Sequence, residues 1–534
     1  MKRYHIIILQ LLLLATGANA QRDLKYNLGK YAGQPSDFDI EYASYYALRS
    51  QPALVDWVSK DSTKAERNIV MANTGSMLNR DNYLHYQGNH TTFATAVAGG
   101  EMYVKGIGTL YGRASYSRQR QRNTYFNYAD QPEDYMPYLV SDTVEQGTLK
   151  QERYLVDGGM SFRLGGMHYG VSGMYEGTST AQETQPRHSV YNYWFRLSLS
   201  AAKITPHWLA SIKVYPEINR QSLSISSALN AYTFAQFYGF GLMNLKESQA
   251  GYGYSRQQKI FGWGTDIQFA LIPRDANGWK ATMRVGYNHR SMETEESRYK
   301  NLFGTDSHLL THQLTLTRRV SPVIDMYVVL DGYQQWRKGK ERIYQQQMMN
   351  AEQNLYDFVE VGTNSLYELS RFQESLRAKT VWRMSAVSSA SLMAGAFFDN
   401  YDEEYIQPIL KVKTSTLTPQ LALGYQYLTE RNQIAADLGF SWRTNTSHNY
   451  DTMDETKTET AMTYLPFLLR SEDIWQTKAS LVYAHTLKTD QSVGCRLTGS
   501  YLRRIRAPYE SRLMFDVEHQ HSQLWAGISL FCIF

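Results

Sequence analysis

SQLWAGISLFCIF, residues 522–534, carries two interleaved rows of side chains. Phe534, Cys532, Leu530, Ile528, Ala526 and Leu524 form an unbroken apolar row, whereas Ile533, Phe531, Ser529, Gly527, Trp525 and Gln523 are mixed and turn polar toward their start. A strand sends alternate side chains to opposite faces. The segment therefore predicts one greasy face and one that tolerates water. Soluble sandwiches contain such strands too, but their free termini are usually polar and loose, and here the last residue is Phe534.

The stretch resembles the closing strand of bacterial outer-membrane β-barrels. That resemblance implies that Leu530, Phe531 and Phe534 belong to the signal read by the barrel insertion machinery. At the other end, Lys2 and Arg3 precede an apolar run over 6–15, and small Ala18 and Ala20 precede Gln21. This is the layout of a cleaved signal peptide over 1–20, too short to count as a spanning helix. No later apolar run reaches about 18 residues, which excludes a helical membrane protein. A closed barrel is the other fold that satisfies its backbone in lipid.

Composition points the same way. The chain holds 41 Tyr and 10 Trp at a mean hydropathy of −0.47, the mixture expected of an apolar outer band, aromatic girdles and a polar interior. Its 534 residues contain no Pro-rich or Gly/Ser-rich linker, which favours one large barrel over several soluble domains. A net charge of +5 argues against a nucleic-acid partner. Cys495 and Cys532 are the only cysteines, so no disulfide framework or Cys-based metal site is expected. Both fall on the outward row of the last two strands, where antiparallel pairing could make them neighbours; adjacent-strand geometry rarely suits a disulfide, so they read as single small apolar fillers.

Residues 21–66 read as a periplasmic tether or small lumen insert with a short helix near 53–60, too short for a large plug domain and without a convincing TonB box. Residues 67–534 read as the barrel. Alternation recurs in Trp279, Ala281, Met283, Val285, Tyr287; in Tyr191, Tyr193, Phe195, Leu197, Leu199; and in Trp208, Ala210, Ile212, Val214. It returns in Ile324, Met326, Val328, Leu330; in Ile434, Ala436, Leu438, Phe440, Trp442; and in Val493, Cys495, Leu497, Gly499, Tyr501. Long connectors are expected at 118–151, 177–189, 216–259, 292–307, 336–370, 401–411, 445–473 and 503–523. Short turns alternate with them at 105–108, 165–166, 203–206, 273–278, 319–322, 387–390, 429–432 and 488–491. The tally is 17 strands, so an eighteenth must come from 67–88 or one has been split or merged. The prediction is an all-β, transmembrane, antiparallel up-and-down β-barrel with an even count of 16–18 strands.

The signal peptide, the segment GTLYGRASYSR at 108–118 and the terminal LFCIF together resemble an uncharacterised domain-of-unknown-function family. Its members are large plug-less outer-membrane β-barrels of Gram-negative bacteria, often met near TonB-dependent receptors. The resemblance implies a fold and a location. Outer-membrane lipid and lipopolysaccharide are the partners expected from that location, and a TonB-dependent receptor is a candidate partner. It implies no substrate and no cofactor.

The inward row offers basic Arg113, Arg163, Arg196, Lys213, Arg284, Arg377, Lys379, Arg383, Arg443, Lys478 and Arg496 against acidic Asp157, Asp266, Asp325, Asp331 and Asp437. Basic rings favour anions in a pore; cross-strand pairing would instead brace a filled interior. Arg118, Arg120 and Arg122 point outward above the lipid band, either gripping lipopolysaccharide phosphates or forming a solvated strand extension. The 216–259 connector holds Tyr232, Phe234, Phe237, Tyr238, Phe240, Tyr252 and Tyr254 among glycines, suited to stacking on sugars or to extending the girdle. Asp451, Asp454, Glu455 and Glu459 read as a solvated acidic tip. No G-x-S-x-G, H-E-x-x-H or phosphate loop occurs and the 13 His are scattered, so no enzyme is expected. The favoured function is a porin-like channel or uptake component for small solutes, anionic ones if the basic rings stay unpaired, gated by the loops after 118, 216 and 336. The alternative is a surface adhesin or accessory subunit of a TonB-dependent system with a plugged lumen.

Overall fold

The structure, a computed structural model, describes residues 37–61, 67–80, 88–124, 138–141, 147–183, 187–226, 233–237, 248–249, 253–273, 277–296, 303–350, 352–353, 355–407, 409–452, 464–488, 491–506 and 521–534. The expected signal peptide lies outside them. The strands are β1 (Arg67–Arg80), β2 (His90–Val104), β3 (Gly108–Thr124), β4 (Tyr138–Ser141), β5 (Gly147–Leu164), β6 (Met167–Gln182) and β7 (Arg187–Ile204). They continue as β8 (Trp208–Ser226), β9 (Thr233–Phe237), β10 (Ser248–Gln249), β11 (Gly253–Leu271), β12 (Lys280–Glu296), β13 (Phe303–Ser321) and β14 (Ile324–Asn350). The last are β15 (Leu355–Arg383), β16 (Ser388–Tyr405), β17 (Leu410–Leu428), β18 (Asn432–Thr452), β19 (Asp473–Lys488), β20 (Gln491–Arg506) and β21 (Ser522–Ile533).

Eighteen strands form one antiparallel sheet that closes on itself, because β1 pairs with β2 on one side and with β21 on the other. Short β4, β9 and β10 make a separate three-stranded sheet joining the β3–β5 and β8–β11 connections. β1 is the eighteenth wall strand that the sequence tally lacked. At the seam, Asn68 N donates to Phe534 O at 2.7 Å and Phe534 N to Asn68 O at 3.0 Å. No helix among the described residues is long and apolar enough to cross a membrane.

All six apolar rows named above face outward. The closing strand shows the contrast most clearly: Leu524, Ile528 and Leu530 are 48%, 41% and 59% exposed, while Phe531 and Ile533 are 5% and 2%. The inner row of β21 is not wet at this end. Phe531 and Ile533 pack with Ile69, Met71, Val97, Ala435, Val482 and Ala484 into an apolar cluster. Cys495 and Cys532 share the outward row but are not direct partners, since Cys495 opposes Leu530 and Cys532 opposes Val493. Both are free thiols.

The short turns fall within a few residues of their expected places. Gly165 and Gly166, with φ of 57° and 79°, form the two-residue β5–β6 turn, which needs positive φ at both positions to match strand twist. The long connectors, by contrast, were drawn too long. β8 runs on to Ser226 and β11 begins at Gly253, so much of 216–259 is wall. Of its aromatic residues, Phe234 and Phe237 lie in β9 and Tyr254 in β11; Tyr232, Tyr238, Phe240 and Tyr252 lie outside the described residues. Likewise 336–370 is mostly a hairpin. β14 leaves β13 after Glu341 and β15 joins β16 at Tyr367, so 342–350 and 355–366 stand as a two-stranded arm beyond the wall. Asp451 ends near the β18 terminus; Asp454, Glu455 and Glu459 are outside the described residues.

Candidate functional site

Residues 37–61 lie inside the barrel at its short-turn end. They contain one-turn 3-10 helices Ile40–Tyr42 and Pro52–Leu54, and two short helices, α1 (Ala43–Arg49) and α2 (Val55–Asp61). Pro52 starts the second 3-10 turn, where its missing N–H costs nothing. Ala53, Leu54 and Val55 are fully buried. With Leu48 and Val58, the first two of these pack against Ala202, Leu209 and Ala270 of the wall. The approach on β6 is close: a Cβ on Gly170 would sit 2.2 Å from the Pro52 carbonyl carbon, so only glycine fits there.

Polar contacts spread around the circumference. Ala53 N donates to Ser200 Oγ at 2.6 Å, Asp56 N to Ser161 Oγ at 3.1 Å, and Thr109 Oγ1 to Asp56 Oδ1 at 2.8 Å. Arg49 pairs with Glu101 at 2.7 Å. On the far wall, Lys379 Nζ donates to Phe38 O at 2.6 Å and pairs with Glu41 at 2.5 Å; its side chain is 3% exposed. Lys478 pairs with Asp37 at 2.6 Å and Arg496 approaches Asp39 at 4.0 Å. Phe38 fills the space beside Gly439. One sector stays open: a cleft of about 560 Å³ between the insert and β12–β15, lined by Tyr45, Trp57, Lys280, Arg319, Asp325 and Arg383 among others.

Above the insert the wall is a lattice of ion pairs. Asp266 holds Lys213 at 2.5 Å and Arg284 at 3.1 Å, while Glu217 holds Arg196 at 2.6 Å and Arg290 at 2.7 Å. Arg113 pairs with Asp157 and Arg377 with Asp331, each at 2.6 Å. Lower down, in the cleft beside the insert, Asp325 takes both Arg319, at 3.2 Å, and Arg383. Nine of the eleven basic candidates, all but Arg163 and Arg443, have a carboxylate within 4.0 Å. Arg163 lies at the exposed end of β5 and Asp437 is buried on the inward row of β18.

The lumen holds more acids than the five expected from the alternation. Glu101, Glu176, Glu217, Asp399 and Glu403 were missed, and each partners a wall or insert group: Arg153 meets Glu176 at 2.6 Å, Arg371 meets Asp399 at 3.0 Å, and Tyr367 and Tyr401 donate to Glu403 at 2.7 and 2.8 Å. Glu217 continues the Lys213, Tyr215 alternation, a signal hidden by ending that strand at 216. Opposed charges on neighbouring strands cancel most of the field that a run of bases alone would create.

The opposite end is capped by α3 (Leu465–Ser471), whose Leu465, Pro466, Phe467 and Leu468 are buried. Arg443 donates to the carbonyls of Leu469 and, at 3.2 Å, Glu472. Glu472 is 1% exposed, accepts from His521 at 2.9 Å, and has Arg504 at 3.9 Å. Burial raises its pKa above the usual carboxylate value, against the opposing pull of His521. On the outer surface, Arg118, Arg120 and Arg122 occupy the same row as Leu110, Ala114 and Tyr116. Among the described residues no group of three or more His, Cys, Asp or Glu is arranged to hold a metal ion.

A family model described as a family of unknown function (DUF6850) matches residues 63–534. The chain belongs to that family. The match to DUF6850 takes in the whole wall and starts just after the insert. No curated protein matches the sequence. Among solved structures, the chain is similar to the unliganded ferric citrate transporter FecA, at 9% identity and a TM-score of 0.40, covering 87% of this chain and 78% of that one. It is similar to a Pseudomonas aeruginosa FadL homologue at 10% identity and a TM-score of 0.33, covering 91% and 93%. The Acinetobacter baumannii siderophore receptor PiuA gives 8% and 0.37, covering 88% and 82%.

Proposed function

We propose that this DUF6850 barrel sits in the outer membrane and acts in solute uptake, with passage gated by residues 37–61 rather than by the long loops. The observation that carries this reading is how the insert is held: short polar and charged contacts to many strands, beside a ready-made cleft of about 560 Å³. None of these contacts belongs to the strand ladder, so the segment can leave without unfolding the wall. An apolar outer row on every strand, an even strand number and both barrel termini at the short-turn end support the membrane placement. In this reading the chain makes and breaks no covalent bonds.

The porin-like part of the reading concerns the opened state. Removing the insert takes the carboxylates of Glu41, Asp37 and Asp39 away from Lys379, Lys478 and Arg496, so the opened pore should prefer anions, moderately, since the other lumen bases keep their wall partners. Planar-bilayer recording of the purified protein tests this: intact protein stays closed or opens rarely, and a variant lacking 37–61 gives stepwise current. An intact protein that conducts as widely as the deletion would end the gating reading. Silence from both would favour the second reading, an accessory subunit of a TonB-dependent system or an adhesin. The arm at 342–350 and 355–366 favours that reading, since it exposes Ile343, Met349, Leu355 and Val361 at 42%, 58%, 54% and 51%.

A further inference from the structure

The wall carries charged rows above its apolar band on several sectors, and they are not alike. On β11–β17 the outward cations each have a carboxylate: Lys259 with Glu295, Lys340 with Asp306, Arg342 with Glu293, Lys338 with Glu368, Lys411 with Glu404 and Lys413 with Asp402. On β2, β3 and β5 cations are in excess. Arg118, Arg120 and Arg122 follow one another on the outward row of β3, with Lys150 directly opposite Arg120 and His90 opposite Arg122. Among the described residues only Glu152 and Glu183 answer them. Glu152 stands 3.9 Å from Arg118, and Glu183 is shared between Arg120, at 3.6 Å, and Lys150. Arg122 makes no ion pair among the described residues.

Height along the strand places this cluster. Arg118 is ten residues above Gly108, the first residue of β3. At about 3.4 Å per residue and a tilt near 40°, that is about 26 Å along the barrel axis, against an apolar band about 25 Å tall. The Tyr116–Tyr154 ring pair, with centroids 5.0 Å apart, lies just below. Arg118 is therefore at the band's outer edge, and Arg120 and Arg122 stand about 5 and 10 Å beyond it, where lipid headgroups carry their phosphates. Alternate residues on a strand are about 7 Å apart and adjacent strands about 5 Å, a spacing over which two guanidiniums and an ammonium converge on one tetrahedral anion.

We propose that Arg118, Arg120, Arg122 and Lys150 form a binding site for phosphomonoester groups, supplied by the glycolipid of the outer leaflet, with Glu183 occupying the anion position when lipid is absent. Glu183 is half exposed, so it can swing away as a dianion takes its place. The inference rests on the membrane placement proposed above, but not on whether the lumen opens.

The test uses purified full-length barrel in detergent, with bisphosphorylated and dephosphorylated lipid A analogues as probes and inorganic phosphate as competitor. Wild type should prefer the bisphosphorylated form, and the triple variant Arg118→Gln, Arg120→Gln, Arg122→Gln should lose that preference by about ten-fold or more. Glu183→Gln should tighten binding. Displacement by millimolar inorganic phosphate would support the phosphate chemistry while making free phosphate the source; its failure to compete would assign the lipid. Equal affinity for the dephosphorylated analogue would overturn the proposal. So would unchanged binding by a triple variant that retains the heat-modifiable gel migration of a folded barrel. Since no flux is read, a non-conducting barrel leaves this result standing, and a conducting one does not rescue its failure.

Discussion

Leu54→Ala tests whether the insert is a docked, releasable element. Leu54 is fully buried against Ala202, Leu209 and Ala270. Truncating a buried Leu to Ala generally costs about 2–5 kcal/mol. The wall strands keep their ladder bonds when the insert leaves, so the loss should fall on docking and not on barrel stability. At about 1.4 kcal/mol per factor of ten, the undocked-to-docked ratio should rise roughly 30- to 4000-fold. The assay is single-channel recording in planar bilayers, paired with limited proteolysis of segment 37–61 and the unheated gel mobility of the barrel. Openings should become frequent and cleavage faster, with mobility unchanged. Cleavage and opening frequency both equal to wild type, in a variant that is folded, would refute the docking argument. A fall in barrel mobility would show instead that the insert braces the wall.

Further outcomes follow from single contacts. Lys379→Met leaves Glu41 without its buried partner, at a cost of about 3–5 kcal/mol; faster proteolysis within 37–61 should result, and an unchanged rate would sink the claim. Phe531→Ala empties the cluster with Ile69 and Val482 and should cost about 3–5 kcal/mol, read as a lower temperature of heat-modified gel migration. Phe534→Ala should leave that temperature nearly unchanged, because its ring is 44% exposed, while lowering the yield of assembled barrel in cells if the terminus is read during insertion. Glu472 has a raised folded pKa, so its contribution to the α3 cap is fully present below 4.5, its ordinary value, and is lost as pH rises through the folded value. Hydrogen exchange of α3 should therefore quicken with pH beyond its intrinsic rate, and Glu472→Gln should abolish that excess; an identical profile in the variant would count against it.

The barrel was legible because outward rows such as Tyr191 to Leu199 alternate so strictly that an apolar outside and a polar inside are written into every second residue. Turn residues such as Gly165 and Gly166 then set the register. What was not legible lies beyond the band, where both faces of a strand meet water and alternation loses its physical cause. That is why the pattern ends β8 near Pro216, and why it predicts a connector over 336–370 where the outer parts of β14 and β15 run. The lumen's balance of charge was misjudged for the same reason, since Glu217 and Glu403 sat in segments assigned to connectors. The contacts of the insert join residues more than 300 apart, as in Lys379 with Glu41 and Lys478 with Asp37, and no local pattern announces such pairs.

The seam between β1 and β21 has a consequence for the order of assembly. The insert precedes β1, one lip of the seam, and its contacts reach from Glu101 and Ser161 on early strands to Lys478 and Arg496 on late ones. A cork seated on so many staves goes in most easily while the hoop is open. Asn68 and Phe534 should therefore zip together last, after the insert is in place. A chain lacking its N-terminal segment should still close, but around an empty bore.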